Sequence, residues 1–211
     1  MQESFRDLLP RAWADQTVEQ KVHMDAPEAD AVLARAIYRY GSQLVKKTDE
    51  VVLLCVGTDR SIGDSLGPLV GSILAERGSS PFTILGTLDN PVHASNLCET
   101  VDWIGSKFKR PLVVAVDACL GRVESVGVLT TGKGSLRPGA GVNKTLPAVG
   151  DLFITGVVNV GGFMEYFVLQ NTRLSLVMRM ARIAAMGIGQ GLTALAAART
   201  TGESEVSAGD G

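Results

Sequence analysis

Two aspartates carry the most specific chemical signal in this chain. Asp64 stands in a polar loop after the apolar run Val51–Val56, and Asp117 closes a second apolar run, Pro111–Asp117 (PLVVAVD). A carboxylate just past a buried strand lies where open α/β sheets bind ligands, at the carboxyl ends of the strands. If the two strands are neighbours, both acids face one crevice. Two close carboxyls do not both ionise easily, so one keeps its proton at a pH where the other is charged, which puts an acid and a base at one site. Sharing a bridging water needs a separation within roughly 6 Å.

Each residue also has a plainer use. Asp64 precedes Ser65 and a helical pattern and could cap that helix, and Asp117 could hold the following turn. Asp59 is a substrate-binding candidate in the same loop, or, with Arg60, a solvated pair that shapes it. Asn143 and Lys144 in the segment PGAGVNK, and Asn159 near the end of a later apolar run, are further polar groups available to hold a substrate chain or an oxyanion.

Two other chemistries are suggested and then set aside. Residues 63–66 spell GDSL, which in one class of serine esterases carries the nucleophile, but those enzymes need a late histidine and none follows His93. The glycines at 57, 63 and 67 suggest a phosphate-cradling turn, yet neither GxGxxG nor GxxxxGK[ST] is present. Three cysteines, with no CxxC pair, point to a reducing compartment. Cys55 and Cys98 read as buried small hydrophobes, and Cys119, two residues after Asp117, is left open because a nucleophilic thiol needs a base.

The elements that must position these residues alternate. After a mixed N-terminal segment of residues 1–26, an arm, a removable pro-segment or a docking strand, the apolar spacing from Val32 to Leu44 predicts a helix with Pro27 near its start. Val51–Val56 is apolar throughout, as expected of a strand covered on both faces. A helix from Leu66 ends near Gly78, Phe82–Leu85 is a short strand, Leu97–Phe108 is a helix, and the third strand ends at Asp117. Val126–Thr130 reads as a further strand at a sheet edge, and Leu152–Val160 as another. Residues 163–199 are helical, with Gly187–Gly191 expected to break them into two helices, and residues 201–211 form a frayed tail.

This β-α-β-α-β order predicts a three-layer α/β/α domain over residues 27–200 with a mostly parallel, flavodoxin-like central sheet. In the strand order 2-1-3 the strands bearing Asp64 and Asp117 lie side by side. At 211 residues, 45% hydrophobic and 20% charged, the chain suits one well-buried domain. A net charge of -2 without a dense Lys/Arg block gives no footprint for nucleic acid or an anionic membrane surface. No signal h-region or membrane span is legible, so a cytoplasmic protein is expected. The methionines of residues 163–199 are core by default and could alternatively supply a homo-oligomer face.

The segments GTDRSIGDSLGPLVG, GTLDNPVHASNL, VDACLG, PGAGVNK and ITGVVNVGGFMEYFVLQNTRLSLVMRMA resemble the spore protein YyaC family of spore-forming Firmicutes, from about Val51 to Ala185. That family in turn resembles the germination protease, an atypical aspartic endopeptidase acting on small acid-soluble spore proteins, and more remotely the hydrogenase maturation endopeptidases. The resemblance implies a phosphorylase/hydrolase-like fold, catalysis by Asp64 and Asp117, a peptide or protein substrate and a place inside the sporulating cell or spore. The maturation enzymes set a Glu, an Asp and a His around nickel. With no histidine after Asp117 to complete that set, no metal or other cofactor is expected. His93 is expected at a helix start or on the surface. A non-catalytic peptide-binding or regulatory protein on the same fold is the alternative.

Overall fold

The computed structural model describes residues 19–45, 50–139 and 146–206, and of 199–206 the backbone alone. Six strands form one sheet: β1 (Glu19–His23), β2 (Val51–Cys55), β3 (Thr83–Leu85), β4 (Leu112–Gly121), β5 (Val128–Lys133) and β6 (Leu152–Val160). Their order is β1-β5-β6-β4-β2-β3. The pairs β2·β3, β2·β4 and β4·β6 are parallel and β5 runs antiparallel to both its neighbours, so the sheet is mostly parallel. The helices are α1 (Ala29–Leu44), α2 (Leu66–Ala75), α3 (Leu97–Lys107), α4 (Glu165–Gln170) and α5 (Leu174–Val206).

Alternation along β2 shows how the layers are built. Val51, Leu53 and Cys55 pack into one core with Leu33 and Ile37 of α1, Leu69 and Val70 of α2, and the apolar face of α5. Val52, Leu54 and Val56 point the other way, into a smaller core with Leu97 and Ile104 of α3. Every residue of β2 is therefore buried, and each large aliphatic side chain contributes roughly 1.5–3 kcal/mol by leaving water. The result is the three-layer α/β/α arrangement with β2 between β3 and β4, the expected 2-1-3 order.

The N-terminal segment supplies a docking strand, because Glu19–His23 pairs with β5 from Glu19↔Gly132 to His23↔Val128. That pairing moves β5 inside the sheet, so the strand expected at an edge is flanked on both sides. The expected break at Gly187–Gly191 is absent, and α5 runs through it unbroken. These glycines let α5 lie close to α1: a Cβ at Gly187 would stand 2.7 Å from the Asp30 carbonyl oxygen, and one at Gly191 2.9 Å from that of Ala34. The helical region divides instead at Asn171–Arg173, between α4 and α5. Cys98, expected to be buried, is exposed: α3 buries Leu97 and Ile104, and the next residue round the helix turns outward. No helix among the described residues is long and apolar enough to cross a membrane.

Candidate active site

The loop after β2 delivers Asp64. Val56 leaves the strand and makes a parallel bridge to Val92, and Gly57 follows at φ 141, a conformation that favours glycine. The Thr58 N–H donates to the Asp64 carbonyl oxygen at 3.0 Å, and the Asp64 N–H to the Ser61 carbonyl oxygen at 3.0 Å. Asp64 thus sits in the short 3-10 turn Gly63–Ser65 that opens α2. Neither the turn nor α2 begins with a side-chain capping bond, so the capping role does not account for this carboxyl. Ser65 is buried and its Oγ donates to the Ile62 carbonyl oxygen at 2.7 Å, a structural use for the serine of GDSL.

Asp117 is placed by a difference in strand length. β4 was expected to end there and instead continues to Gly121, because β6 accompanies it from Val114↔Leu152 to Gly121↔Val160. Its register with β2 stops at Cys55↔Val116, so Asp117 is the first residue of β4 past β2. By strand alternation it shares the face of Val113 and Ala115. The side chain is buried and Oδ1 accepts the Ala118 N–H at 2.9 Å.

Asp64 and Asp117 border one cavity of about 280 Å³. Thr58, Arg60 and Ser61 line it from the β2 loop, His93 from the turn before α3, Pro138 and Gly139 from the start of PGAGVNK, and Tyr166 and Leu169 from α4. Burial pushes the Asp64 carboxyl up to about 6, against a smaller opposing effect of the Thr58 backbone. Asp117 is held well above the usual carboxylate range, first by burial and then by the charge of Asp64, with the Ala118 and Gly139 backbone groups acting in the opposite direction. Cys119 lies two residues further along β4, and burial together with the Asp117 charge pushes its thiol up to about 11. It therefore stays a thiol at neutral pH.

The remaining sequence candidates fall in different places. Asp59 is exposed and does not border the cavity, while its neighbours Thr58 and Arg60 do. Asn159 stands behind α4: its Nδ2 donates to the Val168 carbonyl oxygen at 3.3 Å and to Thr172 Oγ1 at 3.2 Å. Its amide is engaged in holding the cavity wall. Asn143 and Lys144 lie outside the described residues.

His93, Tyr166 and Leu169 are cavity residues that sequence reasoning did not select. The pairing of Val92 with Val56 carries His93 to the carboxyl end of β2, and Ser95 N–H donates to its Nδ1 at 3.3 Å. An isolated bridge leaves no period in the sequence, so the lone valine of PVH gave no strand signal. No group of three His, Cys, Asp or Glu side chains suited to a metal ion occurs among the described residues.

The chain belongs to the DUF1256 family, described as a protein of unknown function, whose model matches residues 21–187. It is 52% identical over 172 residues, 81% of this chain and 84% of the relative, to the uncharacterized protein YyaC of Bacillus subtilis (strain 168). Among solved structures it is similar to the NiFe hydrogenase maturation protease HycI of Thermococcus kodakarensis KOD1, with a TM-score of 0.45 and 19% identity over 71% of this chain and 96% of that one.

Proposed function

We propose that this chain is a peptide hydrolase in which Asp64 serves as base and Asp117 as acid. The observation that carries the reading is that two carboxyls, one from the loop after β2 and one from the neighbouring strand β4, border one cavity, both raised above the ordinary range and to different extents. Pairs of titratable groups driven apart by their surroundings are what acid–base catalysis requires.

In this reading Asp64, pushed up to about 6, is the group ionised near neutral pH, and Asp117, held well above the ordinary range by burial and by the Asp64 charge, is the proton donor. Asp64 takes a proton from a water molecule as its oxygen attacks the scissile carbonyl carbon. Asp117 gives its proton to the carbonyl oxygen, so no bare oxyanion forms in the buried site. Collapse of the tetrahedral intermediate breaks the C–N bond, the amine leaves with the proton held by Asp64, and the gem-diol returns a proton to Asp117. Asp64 and Asp117 end as they began. Gly139, at the start of PGAGVNK, borders the cavity and its backbone bonds Asp117, which holds the acid in place.

The substrate class in this reading is a peptide or an unfolded protein segment in the interior of a sporulating cell. The resemblance to the germination protease makes small acid-soluble spore proteins the first to try. The test is mass spectrometry of such proteins and of generic unfolded peptides after incubation with wild type, Asp64→Asn and Asp117→Asn. Cleavage by wild type and by neither variant is expected. Cleavage at the wild-type rate by either variant overturns the mechanism, and peptide binding without cleavage by wild type favours a regulatory binding protein instead.

A further inference from the structure

The turn after β6 and the helix α4 leave a run of large apolar side chains in solvent. Phe163 is 86% exposed, Tyr166 57%, Phe167 53% and Met164 52%. Single exposed apolar side chains are ordinary, but a contiguous group of aromatic ones marks a surface that something covers. The surface is also preformed. The rings of Tyr166 and Phe167 meet edge to face with centroids 5.9 Å apart, and Gln170 Nε2 donates to the Tyr166 hydroxyl at 2.9 Å. From behind, Asn159 and Thr172 both bond the Val168 carbonyl oxygen.

This shelf is continuous with the acidic cavity. Tyr166 and Leu169 are three residues apart, hence on one side of α4, and both border the cavity. At about 280 Å³ the cavity is just smaller than the usual small-ligand pocket, with room for a short stretch of chain and none for a folded domain. The rest of any polypeptide placed there must lie over the rim, and along α4 the rim is Tyr166 and Leu169, with the Phe167 ring packed edge to face against Tyr166.

We propose that this aromatic shelf is a specificity subsite that receives a bulky apolar side chain of an extended polypeptide beside the bond held between Asp64 and Asp117. The substrates are then unfolded protein segments with Phe, Leu, Ile or Met close to the cleavage point. The inference rests on the hydrolase reading, since a peptide bond in the cavity is what directs the neighbouring residues over α4. A second copy of the chain seated on the shelf would obstruct the rim that Tyr166 shares with the cavity.

The test measures binding without turnover. The full chain carrying Asp117→Asn is titrated, by fluorescence anisotropy, into short labelled Gly/Ser/Asn/Lys peptides that contain either one Phe or a Ser in its place. The Phe peptide is expected to bind about tenfold more tightly, the effect of burying part of one large apolar side chain. Adding Phe163→Ser and Phe167→Ser to the same chain is expected to abolish that difference while the far-ultraviolet circular dichroism stays unchanged. Equal binding of the two peptides, or a difference that survives the double substitution, overturns the subsite. So does sedimentation showing a wild-type dimer that the double substitution converts to monomer, which would assign the shelf to contact between copies. Cleavage by wild type is read separately, so selective binding without cleavage upholds the shelf and rejects the hydrolase.

Discussion

Asp64 and Asp117 border the same cavity, and the charge of Asp64 adds to burial in keeping a proton on Asp117. The relationship follows from two lengths. β2 ends at Cys55 and gives way to the loop bearing Asp64, while β4 continues to Gly121 and carries Asp117 beyond the end of its neighbour.

The pH dependence of cleavage follows from the two carboxyls. The base must be ionised, and Asp64 is pushed up to about 6, so kcat/KM is expected to rise about tenfold per pH unit below that value. The acid must be protonated, so the rate declines again at higher pH where Asp117 ionises. A profile measured with one cleaved peptide checks both limbs. A rate that is flat from about pH 4 to 8 would mean that neither group titrates in the reaction.

The same burial has a stability consequence of definite sign. A carboxyl whose pKa is higher in the folded chain binds more protons in the native state, so stability is fullest below the unfolded value and falls as pH rises toward the folded one. For Asp64 that interval runs from 3.8 to about 6, worth about 3 kcal/mol at neutral pH, and Asp117 acts in the same direction. Asp117→Asn is therefore expected to raise Tm by several degrees near pH 7 and by little near pH 4. Its amide oxygen can still accept the Ala118 N–H. Thermal unfolding at the two pH values makes the comparison.

Close packing of α5 on α1 sets a third expectation. Alanine is the better helix former by about 1 kcal/mol, yet a Cβ at Gly187 would meet the backbone oxygen of Asp30, which has little room to yield. Gly187→Ala is expected to destabilise by about 1–3 kcal/mol, as overpacking does. At Gly189 the neighbour is the end of the Leu74 side chain at 3.0 Å, so Gly189→Ala is expected to be milder. Paired thermal melts rank the two.

Asn159 offers a way to separate holding the wall from holding the substrate. Its amide engages Val168 and Thr172. Asn159→Ala is expected to speed hydrogen exchange of the α4 amides in the free protein and to raise KM more than it lowers kcat. A residue that bound substrate alone would leave exchange in the free protein unchanged.

Much of this arrangement was legible in the sequence because it depends on local pattern. The all-apolar run of β2 marked a strand covered on both faces, and the βα alternation implied the order that sets Asp64 beside Asp117. What was not legible depends on long-range partners. β4 passes Asp117 because β6 pairs with it there, and β5 lies inside the sheet because β1 docks on it. Gly187 and Gly191 read as helix breakers, although a glycine that admits a neighbouring helix has the same sequence signature. His93 and Tyr166 reach the cavity through a single bridge and a short helix, neither of which has a strong period.

The most direct measurement of the central claim is an NMR titration of the carboxyl carbons in the ¹³C-aspartate-labelled chain, assigned with Asp64→Asn and Asp117→Asn. The expected result is one group titrating near 6 and a second well above the ordinary range, with the second moving down when Asp64 is replaced. Two groups titrating independently near the usual value of about 4 would contradict the acid–base pair.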